Sequence, residues 1–176
     1  MTSTSSPELK IEPLGGDHDR AGFSCGVESL DRYLKIQASQ DQRRKANGVF
    51  VVIDPHQPNS ILGYYTLCAT ALPQGEVPVV VRKHIPRYPL VSATMLGRLA
   101  IAGEQQNAGL GALLLADAVR RAYASAGSVG SSMLIVDAID EQAAGFYEAH
   151  GFIRLPESLR LVLPMQTIGK LYLSAS

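Results

Sequence analysis

The stretch from Leu96 to Ala124 constrains the fold of this chain more than any other. Leu96–Ala102 reads as a strand, Gly103–Ala108 as a polar, glycine-bearing turn, and Gly109–Ala124 as a helix. In that helix Asp117, Arg120, Arg121 and Ala124 share one narrow stripe and almost every other residue is apolar, which predicts a mostly buried element. A strand that leads through such a turn into a buried helix is a common grip for phosphate. The helix start offers free backbone N–H donors and about half a unit of positive charge, and glycine lets an anion approach the backbone. Gly109 and Gly111 stand where a side chain would obstruct a pyrophosphate. The turn has no lysine followed by serine or threonine and lacks the three-glycine dinucleotide pattern, so ATP and NAD are disfavoured. Two glycines near a helix start also serve ordinary close packing, so the loop alone does not decide.

The elements around it alternate. Leu9–Glu12 predicts a short strand, and Glu28–Gln42 a helix whose apolar face holds Leu30, Leu34 and Ala38, widened by Tyr33 and Ile36. Gly48–Ile53 and Ile61–Leu72 predict an antiparallel hairpin, and the proline-rich Pro73–Pro89 a long excursion. Val91–Ala102 predicts a strand broken by Gly97 into two parts. Ser131–Asp137 is a further strand. Asp140 is placed to cap a helix that runs to His150, with Gly151 closing it. Phe152–Arg154, Leu159–Leu163 and Thr167–Leu173 predict a strand-rich end. This order argues for a mixed α/β layer in which helices cover a sheet.

A chain of 176 residues with 46 % hydrophobic content is ample for one core, so residues 9–176 are expected to form a single domain after a disordered start at 1–8. Basic and acidic residues balance at 16 each, leaving no global field to draw the chain to nucleic acid or an anionic membrane. Any such contact needs a local patch. Cys25 and Cys68 stand in no metal or redox spacing, which predicts free thiols and a cytoplasmic protein. His18, His56, His84 and His150 are scattered without zinc spacing, so no metal is expected. There is no secretory h-region and no apolar run of about 18 residues, so no membrane role is expected.

Gln106, Gly109 and Gly111 match the cofactor loop of the GCN5-related N-acetyltransferases, in which Gln or Arg is followed after two residues by Gly and then, one residue later, by Gly or Ala. The strand before the loop, the helix after it, and Phe146–Tyr147 followed by Gly151–Phe152 agree with that family. The likeness extends to one subgroup through Phe23–Ser24–Cys25–Gly26, Gly63–Tyr64–Tyr65–Thr66–Leu67, Leu96–Gly97–Arg98–Leu99–Ala100–Ile101 and Ile168–Gly169–Lys170–Leu171. In these segments the chain resembles the acetyltransferase toxins of bacterial toxin–antitoxin pairs, over roughly residues 9 to 172.

The resemblance implies a mostly antiparallel mixed sheet with a splayed central strand pair and helices on both faces. It implies acetyl-CoA as cofactor, held by Leu99, Ala100 and Ile101 and by the loop and helix start Gln106, Asn107, Ala108, Gly109, Leu110, Gly111 and Ala112. Backbone N–H donors aimed at a developing oxyanion contribute a few kcal/mol to such a reaction. Tyr147 is the expected general acid, since a phenol with a pKa of about 10 is protonated at neutral pH and can still donate to a departing thiolate. The bland alternative is a core aromatic with a satisfied hydroxyl. No residue is singled out as general base. Asp137 reads as a cofactor contact or a loop cap, and His150 as a surface residue.

The acceptor implied by the subgroup is the α-amine of an aminoacyl-tRNA, whose acetylation stops translation. The basic runs Arg43–Arg44–Lys45 and Arg82–Lys83, with Arg98, would then meet RNA, although a charge run is as often a solvated face. The resemblance also implies a ribbon-helix-helix antitoxin, with DNA reached only through that partner, and is compatible with a homodimer. Two other readings stay open, an acetyltransferase for a small amine, peptide or protein, and a non-catalytic CoA-binding module.

Overall fold

The computed structural model describes residues 8–172. Seven strands, β1 (Lys10–Pro13), β2 (Gly48–Ile53), β3 (Gly63–Pro73), β4 (Leu90–Ile101), β5 (Met133–Asp137), β6 (Ile153–Arg154) and β7 (Arg160–Pro164), are hydrogen-bonded in the order β1-β2-β3-β4-β5-β7-β6. Among the described residues six helices accompany them, α1 (Glu28–Ile36), α2 (Ala38–Arg43), α3 (Val79–Arg82), α4 (Leu110–Val129), α5 (Glu141–Ala149) and α6 (Met165–Tyr172). This is the expected mixed, mostly antiparallel α/β arrangement. The chain divides into two compact units, and β3, β4 and α4 pass from one to the other after Thr66, Gly97 and Leu115. The expectation of a disordered start falls on residues 1–7, outside the described range, and on Glu8.

The first unit holds the described residues up to Thr66 together with Arg98–Leu115. β1 lies antiparallel to β2, with Lys10 opposite Ile53 and Pro13 opposite Phe50. Apolar side chains from the helices, from β2, β3 and β4 and from the loops, among them Phe23, Leu34, Val51, Ile53, Tyr64 and Ala100, form its core. The single helix expected over 28–42 is two, because Gln37 leaves helical geometry at φ −120° and ψ −32° while its N–H still bonds to the Tyr33 carbonyl. Ile36 is exposed by that break, so it does not widen the apolar face as expected. At Gly63 a Cβ would meet the Ala100 carbonyl oxygen at 2.9 Å, which explains the glycine by close approach of β3 to β4.

The second unit holds Leu67–Gly97 and the residues from Ala116 onward. Ala93–Leu96 of β4 run parallel to Met133–Val136 of β5, and β5 runs antiparallel to β7 from Met133–Pro164 to Asp137–Arg160. Leu72, Val81, Val91, Met133, Ile135 and Val162 are core residues here. β4 is continuous through Gly97, contrary to the expected break, since one glycine weakens a strand without ending it. The strand expected over Thr167–Leu173 is helix as far as Tyr172, and Leu173 lies outside the described residues. Met165 and Ile168 are buried three residues apart with Gln166 and Lys170 exposed, a helical period that the β-formers Thr167, Ile168 and Tyr172 obscured.

Asp140 caps α5 as expected, its Oδ1 accepting the Ala143 N–H at 2.8 Å. Gly151 follows the helix at φ +97°, and a Cβ there would also meet Leu171 at 2.9 Å. Asp140→Ala should lower stability by about 1 kcal/mol, read as a fall in Tm. An unchanged Tm would show that the cap is idle.

α4 is longer than expected and buried on one side only. Leu110, Leu114, Leu115, Ala118, Val119 and Ala122 are covered, while Leu113 and Tyr123 are exposed. Apolar content overstated the burial, because short alanine and glycine positions are tolerated at a helix surface.

Candidate active site

The two parts of the expected site lie in different units, and each has its own surroundings. In the first unit β4 ends in Arg98–Leu99–Ala100–Ile101, with Ala100 buried and Leu99 and Ile101 half-buried. The chain then turns through a single 3-10 turn, Gly103–Gln105. Gln106 anchors the loop at this point: its Nε2 donates to the Cys25 carbonyl at 2.8 Å and to the Ile101 carbonyl at 3.2 Å. This side chain therefore fixes the start of the loop to the end of β4 and to the segment before α1.

Between that anchor and α4 the backbone takes two left-handed steps, Asn107 at φ 68° and Gly109 at φ 82°. Asn107, Ala108 and Gly109 are exposed. A Cβ at Gly109 would meet nothing within 4 Å, so the glycine answers to φ and to open space in front of it, not to packing. The Gly109 carbonyl accepts the Leu113 N–H at 3.2 Å, which opens α4. The N–H groups of Leu110, Gly111 and Ala112 thus fall in the first turn of a 20-residue helix, where backbone donors have no intrahelical acceptor. Left-handed backbone before a long helix start suits a pyrophosphate. Gly109 and the neighbouring loop residues fit the phosphates of acetyl-CoA on that ground.

In the second unit Tyr147 is buried, 6 % exposed, on α5. Its ring meets Phe146 at 5.2 Å and Phe152 at 5.5 Å between centroids, both edge-on. Its carbonyl accepts the N–H groups of His150 and Phe152 at 3.0 and 3.1 Å, so the end of α5 folds back on the residue that carries the phenol. Burial raises the pKa of the phenol well above its ordinary value, which keeps the proton on. Among the described residues nothing accepts a hydrogen bond from its hydroxyl.

Other candidates are committed elsewhere. Asp137 forms a bidentate pair with Arg160, its cross-strand neighbour, at 2.7 and 2.9 Å. His150 bonds through Nδ1 to the Phe146 carbonyl at 2.8 Å, and its own carbonyl accepts the Tyr172 hydroxyl at 2.7 Å. Cys25 is buried, and desolvation followed by its contact with Asp31 pushes the thiol up to about 11, unsuited to acyl transfer at neutral pH.

Of the basic residues, Arg43, Arg44 and Lys45 are exposed in the first unit, and Arg82 and Lys83 are exposed in the second. The Arg82 guanidinium donates to the Val77 and Gly75 carbonyls at 2.9 and 3.3 Å, which ties it to its own excursion. Arg98 lies over the Tyr33 ring, its Cζ 3.5 Å from the centroid. No local spacing in the sequence links that ring, on α1, to β4. Among the described residues no group of three or more His, Cys, Asp or Glu is placed to hold a metal, and no helix is long and apolar enough to cross a membrane.

No protein-family profile matches the chain. It is 32 % identical over 149 residues to a protein of Mycobacterium tuberculosis named tRNA-acetylating toxin, covering 84 % of this chain and 87 % of the relative. Its fold is similar to that of AtaT in complex with acetyl-methionyl-tRNAfMet, with a TM-score of 0.85, 32 % identity, and 94 % and 99 % of the two chains covered. It is similar also to an AtaT mutant toxin bound to the C-terminus of the antitoxin AtaR and acetyl-CoA, with a TM-score of 0.78, 30 % identity, and 94 % and 98 % covered. With a cofactor-type loop, a buried tyrosine at the end of α5 and these likenesses over nearly the whole length, the chain belongs to the acetyltransferase toxins of the GCN5-related N-acetyltransferase fold.

Proposed function

We propose that this protein transfers an acetyl group from acetyl-CoA to the α-amine of the amino acid on a charged tRNA and so blocks translation. The observation that carries the chemistry is Tyr147, buried and kept protonated, with no acceptor for its hydroxyl among the described residues. The acceptor follows from membership of a family whose relatives include a tRNA-acetylating toxin and a toxin bound to an acetyl-aminoacyl-tRNA.

When bound, acetyl-CoA supplies an activated acetyl thioester. The residues of this chain do the rest. N–H donors of Gly109, Leu110, Gly111 and Ala112 would hold the phosphates, with Gln106 fixing Asn107 and Ala108 before them. The backbone of Leu99, Ala100 and Ile101 would align the arm of the cofactor and polarise the thioester carbonyl. Tyr147 would give its proton to the departing sulfur and regain one, by way of water, from the nitrogen that sheds a proton as the amide forms. The attacking α-amine must be neutral, and its pKa of about 8 supplies enough neutral form near physiological pH to need no strong base.

Arg43, Arg44, Lys45, Arg82, Lys83 and Arg98 are the cations offered to the RNA. A ribbon-helix-helix antitoxin, contact with DNA only through it, a homodimer and a cytoplasmic site of action complete the proposal. The test is cell-free translation with the purified protein. Arrest should require acetyl-CoA and be reversed by a fresh supply of charged initiator and elongator tRNA. Arrest without acetyl-CoA, or none at any concentration, would contradict the proposal.

A further inference from the structure

The ending Ile168–Gly169–Lys170–Leu171, one of the segments that resemble the toxins, lies in α6 and takes no part in the chemistry above. Its contacts lead to the turn that follows Tyr147. The Tyr172 hydroxyl donates to the His150 carbonyl at 2.7 Å from 22 residues along the chain. Leu171 closes on Gly151, where a Cβ would stand 2.9 Å from its side chain. The helix is itself firmly seated. Met165 and Ile168 are buried, and the Met165 N–H donates to the Ser132 carbonyl at 3.0 Å. Gly169 leaves room for Tyr123, whose hydroxyl would be 3.3 Å from a Cβ there.

Tyr147 needs such support. It stands in the last turn of a helix of nine residues. The final carbonyls of a helix lack intrahelical donors, and such ends fray. In α5 they are closed from two directions. His150 Nδ1 lies 2.8 Å from the Phe146 carbonyl, which can only accept, so Nδ1 carries the proton. The His150 ring also lies against Phe146, 4.6 Å between centroids, and Phe146 in turn meets the Tyr147 ring. These contacts are local and would move with the helix end. The Tyr172 bond is different, because it ties that end to a separate, buried element. Burial raises the Tyr172 phenol above its ordinary pKa, so it stays a donor.

We infer that Tyr172 and His150 are positioning residues for Tyr147: α6 grips the last turn of α5 through the His150 carbonyl and so holds the phenol where the departing sulfur takes its proton. The ending that resembles the toxins thereby acts on the reaction from outside the site. The inference rests on the reading of Tyr147 as the proton donor to sulfur in acetylation of charged tRNA.

The test measures kcat on charged tRNA, and acetyl-CoA affinity, in a double-mutant cycle on the full chain. Tyr172→Phe should lower kcat roughly tenfold, since a small misplacement of a reacting group is costly, with acetyl-CoA affinity unchanged. In a Tyr147→Phe background the same change should cost nothing more, because the group it positions is gone. His150→Ala should behave as Tyr172→Phe does, and His150→Asn, which keeps a donor for the Phe146 carbonyl, should retain most of the rate. Amide exchange at His150 and Phe152 should quicken about tenfold in Tyr172→Phe, with β5 unaffected. An unchanged kcat, or an equal tenfold loss in the Tyr147→Phe background, would overturn the inference alone. So would a loss of acetyl-CoA affinity by the same factor. Full turnover of Tyr147→Phe, or no turnover by the unaltered protein, would overturn the underlying reading and the inference together.

Discussion

Tyr147→Phe should lower kcat about 100-fold or more while the protein keeps its fold and its affinity for acetyl-CoA. The phenylalanine ring retains the edge contacts with Phe146 and Phe152, and the lost hydroxyl had no hydrogen-bond acceptor among the described residues. Its removal therefore leaves nothing unpaired, and Tm should stay within about 2 °C. The pH profile adds a second reading of the same residue. Burial raises the phenol pKa above about 10, so ionisation of Tyr147 should cause no loss of rate below that pH. The rate should instead climb through a midpoint near pH 8 to a plateau about one unit higher as the acceptor amine loses its proton. A descending limb below pH 10 that disappears in Tyr147→Phe would contradict the assigned proton state, and undiminished turnover of that variant would remove the tyrosine from the chemistry.

Gly109→Val should raise the Kd for acetyl-CoA about 100-fold, equal to roughly 2.7 kcal/mol. Two effects add at this position. A β-branched residue at φ 82° costs about 1–3 kcal/mol in backbone strain, and its side chain would occupy the open space that the glycine leaves. Gly130 separates them. It lies just past the other end of α4 at φ 80°, and a Cβ there also meets nothing within 4 Å. Gly130→Val should lose comparable stability with no change in cofactor binding. Isothermal titration and thermal melts on the two variants make the comparison. An equal Kd in both would assign Gly109 to folding alone.

Local patterns made much of the fold legible in the sequence. Gly48–Ile53 is a strand at the expected bounds, Asp140 caps α5, and Gly151 takes the left-handed turn that ends it. Each of these depends on neighbours in sequence, where residue chemistry and backbone geometry are directly linked. Expectation and structure part where tertiary contact overrides local preference. Thr167–Tyr172 has strand-like composition but is helical because Met165 and Ile168 bury one face. Gln37 ends α1 without a glycine or proline to mark it.

The candidate site divides in the same way. The loop residues Gln106–Gly111 and Tyr147 were legible because each sits in a short motif. The ring beneath Arg98 was not, since Tyr33, Asp41 and Asn47 are joined to β4 only by folding. Asp137 was readable as a functional carboxylate, and only the β5–β7 register shows it paired with Arg160.

The central claim is that the acceptor is the α-amine of an aminoacyl-tRNA. Its most direct test incubates the protein with acetyl-CoA and a pool of charged tRNAs, digests the RNA, and identifies the aminoacyl-adenosine fragments by mass spectrometry. Fragments acetylated on the α-nitrogen are expected, formed only with acetyl-CoA and nearly absent with Tyr147→Phe. Unmodified aminoacyl-adenosine alongside rapid acetylation of free amines or peptides would contradict the claim.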